Sequence, residues 1–300
     1  MLGALIDDAG LFPPAALSMR EALAARSRAL AGDAPWIVGR FVVPASRLRE
    51  LEAALKGTRA ILPVSVVIDA SEPLAAIAAL GREAKADDSR IAVEAIELPL
   101  ARIAGGRDDV RLDALRRGLV ASGFDASTEA YLELAWDGDL DAQLGALRGA
   151  RANGLPFNAK FRCGGPSAAA IPSPDVLARA IWNANRLQVP FKATAGLHHP
   201  LRHRDAALGA TAHGFLNVLG GALLAHAHGL DEPTLGALIE DEDGAHFTLD
   251  ADSFAWRGVV AGASEIAAAR ARFARSYGSC SLQEPIDDLR SLGMLPALVR

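Results

Sequence analysis

The strongest constraint on this chain is an alternation. Short runs rich in Val, Ile, Leu and Phe are each followed by an Ala-, Leu- and Arg-rich segment of helical length. The extended runs are LGALI (2–6), WIVGRFVV (36–43), ILPVSVVID (61–69), IAVEAIEL (91–98), EAYLELAW (129–136), PFNAKFR (156–162) and VPFKAT (189–194). An eighth is expected within HFTLDADSFAWRG (246–258), ahead of a helix SEIAAARARFARS (264–276), and residues 205–228 read as a long helical region. Helix starts are signalled by a Ser18/Glu21 capping box and by Ser173 followed by Pro174 and Asp175. Eight strand–helix units with no dividing linker predict one (β/α)8 barrel, a TIM-like α/β fold over residues 1–300. A doubly wound open sheet shares the alternation, but no G-x-G-x-x-G follows the first strand and no phosphate-binding P-loop is present.

Barrel active sites sit at the C-terminal ends of the strands. Side chains alternate with period two, so strand six places Asn158, Lys160 and Arg162 on one face and Phe157, Ala159 and Phe161 on the other. Strand seven divides Lys192 and Thr194 from Phe191 and Ala193 in the same way. The aromatics belong against helices, so the polar sets are expected to face the barrel axis. Strand five adds Tyr131 and Glu133, strand four Glu94 and, from the opposite register, Glu97. Strand one ends in Asp7 and Asp8, and strand three in Asp69. Charged groups are rarely buried unless paired. The pattern therefore describes either a catalytic mouth or an internal ion-pair network.

Composition narrows the partners. Lys and Arg number 31 against 36 Asp and Glu, a net charge of −5 with no basic tract, which argues against nucleic acid. The longest greasy run, FLNVLGGALLAHAH (215–228), is too short and too interrupted to span a bilayer. The two cysteines and the absence of a signal-like start point to a cytoplasmic protein.

Two neighbouring inward lysines favour the neutral form of one of them, and a neutral amine attacks carbonyls to form a Schiff base. FKATAG (191–196) resembles the K-x-T-x-G segment of the deoxyribose-phosphate aldolases. The likeness covers about six residues and implies a (β/α)8 barrel with one Schiff-base lysine on strand six and a second essential lysine on strand seven. The motif maps the nucleophile onto Lys192, whereas strand order maps it onto Lys160. KFRCGG and PFKATAGLHHP also resemble segments of uncharacterised bacterial proteins, a likeness that implies no activity.

The catalytic candidates are thus Lys160, Lys192, Glu133, His198 and Asp8. Substrate contacts are expected from Asn158, Arg162, Thr194, His199 and the Gly164–Gly165 loop, whose N–H groups suit a phosphate or carboxylate. His198, His199 and His203 are of metal-ligand type, but adjacent histidines diverge and neither H-E-x-x-H nor C-x-x-C occurs, so no metal or other cofactor is assigned. EDEDG (240–244) reads as a solvated loop, and Cys280 in YGSCS has no visible base partner. Three functions follow. One is a Schiff-base lyase or aldolase acting on a small anionic oxo compound. The second is a lysine- or metal-dependent enolising enzyme. The third is a non-catalytic barrel that binds an anionic metabolite, favoured if every lysine is already ion-paired.

Overall fold

The computed structural model describes residues 1–154 and 157–295. Seven barrel strands come in sequence: β1 (Ile6–Asp8), β2 (Val38–Pro44), β3 (Leu62–Val67), β4 (Ile91–Pro99), β5 (Glu129–Glu133), β6 (Phe157–Arg162) and β7 (Phe191–Thr194). A hairpin, β8 (His203–Asp205) and β9 (Ala210–Ala212), and a three-stranded sheet, β10 (Phe247–Leu249), β11 (Ser253–Trp256) and β12 (Val259–Gly262), intervene before the closing strand β13 (Ala274–Ser279). β1 to β7 and β13 form a closed barrel in which each neighbouring pair is parallel. The helices are α1 (Met19–Ala31), α2 (Leu48–Leu55), α3 (Pro73–Ala84), α4 (Asp108–Ala121), α5 (Leu140–Arg151), α6 (Pro174–Arg186), α7 (Gly221–His228), α8 (Glu232–Glu240), α9 (Ala263–Arg272) and α10 (Gln283–Ser291). This is the expected TIM-like barrel. No helix among the described residues is long and apolar enough to cross a membrane.

Local signals act as expected. Ser18 accepts from the Glu21 N–H, and the Glu21 carboxylate accepts from the Ser18 N–H, closing the capping box on α1. Ser173 caps α6, with Pro174 and Asp175 in its first turn. The aromatic residues of β6 and β7 face outward. Trp136, Phe161, Phe191 and Phe273 pack in a row, with centroids 5.7, 5.0 and 5.2 Å apart. The row fills the seam between sheet and helices and fixes which face of each strand is left for the axis.

Several segments differ from the sequence reading. The eighth barrel strand is ARSYGS, not a stretch of 246–258, which instead supplies β10 and β11. Its apolar pattern is weak because its inward positions are Ser276 and Gly278, and one extra residue between Ala274 and Tyr277 shifts its register. The helix expected over 264–276 therefore stops at Arg272. Residues 205–228 are not one helix but the hairpin, a π-helical turn over Leu216–Gly220 and α7. Within EDEDG, Asp241 is 7% exposed rather than solvated. It accepts hydrogen bonds from Trp256 Nε1 (2.9 Å) and the Asp243 N–H (3.0 Å), pairs with Arg257 (2.9 Å), and anchors the three-stranded sheet. Pro156, the expected start of strand six, lies outside the described residues, as do residues 296–300.

Candidate active site

The barrel axis holds a chain of alternating charges. Lys160 and Lys192 pair across β6 and β7 in direct register, so both ammonium groups project to the same level. Lys192 Nζ lies 2.6 Å from Asp7 Oδ2 and 2.6 Å from Glu97 Oε1. The other oxygen of Glu97 lies 3.0 Å from Lys160 Nζ, which is also 3.2 Å from Glu133 Oε2. Glu133 Oε1 then faces Arg162 NH1 at 3.9 Å. The order is Asp7, Lys192, Glu97, Lys160, Glu133, Arg162, three anions against three cations. Ser65 Oγ donates to Glu97 (2.6 Å) and Ser276 Oγ to Asp7 (2.8 Å), satisfying further lone pairs.

Burial is graded along this chain. The side chains of Lys192, Asp7 and Glu97 are 1–2% exposed, Lys160 is 9%, Glu133 19% and Arg162 45%. One end is sealed and the other opens at the rim. Burial alone lowers a lysine pKa, yet the charges and hydrogen bonds of Asp7 and Glu97 outweigh it and push Lys192 upward. Burial likewise raises a carboxyl, but Lys192 and Lys160 hold Glu97 well below the ordinary carboxylate range. Lys192 is a fixed cation and Glu97 a fixed anion at neutral pH.

Glu97 reaches this position through a bulge. One extra residue at Glu94 shifts β4 against β3, pairing Val64 with Val93 but Ser65 with Ala95. Glu97 is thereby set on the two lysines, and Glu94 turns to Arg40 Nε at 3.0 Å. A second polar cluster lies toward the strand starts. Arg40 and Arg275 flank Glu129 at 2.8 and 3.3 Å, and Tyr131 Oη donates to Glu129 at 2.9 Å. Asn158 belongs there. It donates to Glu129 (3.4 Å) and accepts from Arg151 (2.7 Å), away from the rim.

The other expected residues divide similarly. Asp8 points away from the axis, with Oδ2 3.8 Å from Arg26 NH1 on α1 and no hydrogen bond to that oxygen. The axial acid of β1 is Asp7. Arg162 donates from Nε to the Gly164 carbonyl (3.1 Å) at the rim. At Gly164 and Gly165 a side chain would have little room. A Cβ on Gly164 would meet Gly196 Cα at 2.9 Å, and one on Gly165 would meet Ala170 Cβ at 2.7 Å. Thr194 Oγ1 faces Gly278 of β13. His199 Nδ1 is 2.6 Å from Asp288 on α10, with its ring edge-on to His203, and His198 lies against Cys280 and Glu284. Asp69 serves Ser46, accepting its N–H at 3.1 Å. Among the described residues no group of three or more His, Cys, Asp and Glu is placed to hold a metal ion.

Asp8 carries a test of this placement. Burial pushes its carboxyl up to about 6, with Asp7 adding to the rise and the Gly10 N–H and Arg26 opposing it. A raised carboxyl stabilises the fold in its protonated form. That contribution is complete below the ordinary value of 3.8 and is lost as the pH rises through about 6. Asp8→Asn therefore gains on the native chain as the pH rises, by up to about 3 kcal/mol between about pH 4 and about pH 7. Urea unfolding at both pH values measures the change. A gap that does not widen contradicts it.

Compared with known proteins, the chain matches no family model, no curated protein and no solved structure.

Proposed function

We propose that the barrel is a Schiff-base lyase of the aldolase type, acting on a small anionic oxo compound with Lys160 as the amine. What carries the reading is the asymmetry of the two lysines around Glu97. Lys192 is sealed between two carboxylates at 2.6 Å and held protonated, whereas Lys160 has longer contacts and adjoins the partly open Glu133. This favours the assignment by strand order over the assignment by motif. The K-x-T-x-G likeness supports the reaction class over its six residues. The two free thiols, Cys163 and Cys280, agree with a cytoplasmic setting.

In this reading Lys160 passes its proton to Glu133, 3.2 Å away, which leaves the balance of axial charge unchanged. The neutral amine then adds to the substrate carbonyl. Glu133, now a carboxylic acid, returns the proton to the carbinolamine hydroxyl, which leaves as water. The iminium that remains carries its positive charge where the ammonium stood, beside Glu97, and draws electrons from the adjacent carbon–carbon bond. Lys192 keeps Glu97 anionic and in place. Arg162, at the rim, meets the anionic end of the substrate.

The pairing of both lysines also favours a second reading, a non-catalytic barrel that binds an anionic metabolite at Arg162. Borohydride reduction in the presence of small aldehydes and ketones separates the two. A stable adduct is expected by intact mass in the native chain and in Lys192→Arg. It is expected to be lost in Lys160→Arg, which keeps the charge but cannot form an imine. No adduct across the panel rejects the Schiff base and leaves the binding reading.

A further inference from the structure

Cys280 gains in three dimensions the base partner that its sequence neighbourhood lacks. It follows Ser279 at the end of β13, on the rim that also carries the loop after β7. Cys280 Sγ lies 3.8 Å from Nδ1 and 3.9 Å from Nε2 of His198. His198 Nδ1 faces Glu284 Oε2 at 3.3 Å, near the start of α10. None of the three belongs to the lysine chain. Cys280 is half-buried and the side chain of His198 is 22% exposed, so the pair is partly open to solvent.

We propose that Cys280 is a nucleophilic thiol, with His198 as its base and Glu284 orienting that base, and that it adds to α,β-unsaturated carbonyl compounds. With Nδ1 turned to Glu284, Nε2 is the nitrogen free to take the thiol proton. As the proton leaves, the sulfur electron pair forms a bond to the β-carbon, and the alkene pair shifts toward the carbonyl to give an enolate. His198 then returns the same proton to the α-carbon. Nothing departs and no oxidant or reductant enters, so the three side chains suffice. A soft sulfur nucleophile suits a soft carbon acceptor.

The charged surroundings agree with a base rather than a preformed ion pair. Burial raises the Cys280 thiol, with Glu284 adding to the rise and the Ala15 N–H opposing it. Burial lowers the His198 imidazole, His199 and His203 lower it further, and Glu284 opposes them. Asp288 faces this group only through His199. Both partners are neutral at rest, and the proton moves as the carbon–sulfur bond forms.

The test uses the full chain and N-ethylmaleimide, a conjugate acceptor, with intact mass and peptide mapping over a range of pH. One fast label on Cys280 is expected. Cys163, 1% exposed and with its thiol pushed up to about 12 by burial, stays unlabelled while the chain is folded. His198→Gln is expected to slow labelling at neutral pH by about tenfold or more. The gap closes in alkaline solution, where hydroxide replaces the base. Glu284→Gln leaves the imidazole in place and slows labelling by a smaller factor. Labelling of His198→Gln at the native rate at neutral pH overturns the proposal. So does a folded native chain that reacts no faster than the urea-unfolded one. If His198→Gln does not fold by circular dichroism, Glu284→Gln decides, and an unchanged rate there rejects the relay.

Discussion

Glu97→Gln is expected to cost about 3–5 kcal/mol of folding stability at neutral pH, the usual penalty for breaking a buried charge network by removing one partner. Glu97 is 2% exposed and binds both lysines, one through each oxygen. An amide keeps the shape but presents an N–H donor to one of the two ammoniums. The axial groups then carry three cations against two anions, with no solvent to screen Lys192. The pH dependence has a definite sign. The folded pKa of Glu97 is depressed by the lysines, so its contribution is complete above the ordinary value of 4.5 and is lost as the pH falls below it. The gap between native and variant chains should therefore be largest at neutral pH and shrink in acid. Denaturant unfolding at about pH 7 and about pH 3 measures both. A gap under about 1 kcal/mol would place Glu97 outside the energetics of the core.

The barrel was legible where local chemistry and burial agree. Phe157, Phe161 and Phe191 alternate with Asn158, Lys160 and Lys192, and helix packing outside with polar pairing inside enforces that alternation. Ser173, Pro174 and Asp175 mark a helix start because each satisfies a local backbone need. What stayed hidden depends on register and on distant partners. Asp7 and Asp8 are adjacent acids, and a three-residue strand gives no pattern to say which one faces in. Glu97 lies three residues from Glu94, so period two separates them, and only the bulge restores it to the axis. β13 reads as a helix end because a strand that lines a polar axis with Ser and Gly has no apolar stripe. Asp7 meets Lys192 across 185 residues of sequence, and Cys280 meets His198 across 82. Neither spacing carries a local signal. Lys160 and Lys192 were recognisable as a pair, but their unequal surroundings are set by Asp7 and Glu97, the two partners that sequence periodicity could not place.

On the proposed Schiff-base reading, Glu133→Gln is expected to slow imine formation on Lys160 by roughly 10²- to 10⁴-fold, the range typical of a lost general acid–base group. Two carboxylates contact Lys160 Nζ, Glu97 at 3.0 Å and Glu133 at 3.2 Å. Glu97 is the poorer proton acceptor although it is nearer. Two ammoniums hold its carboxyl far below the ordinary range, and protonating it would strip Lys192 of one of its two partners. Glu133 has Lys160 and the more distant Arg162 beside it and is 19% exposed, so the proton it takes can also exchange with water. The amide of Gln accepts a hydrogen bond but not a proton. Lys160 then stays an ammonium, and the carbinolamine hydroxyl has no acid to leave with. Cyanoborohydride trapping with a fixed aldehyde, followed by intact mass over time, gives the rate. A variant that traps within about threefold of the native rate at neutral pH would move the proton transfer from Glu133 to solvent and leave Lys160 as an amine that works without a neighbouring acid.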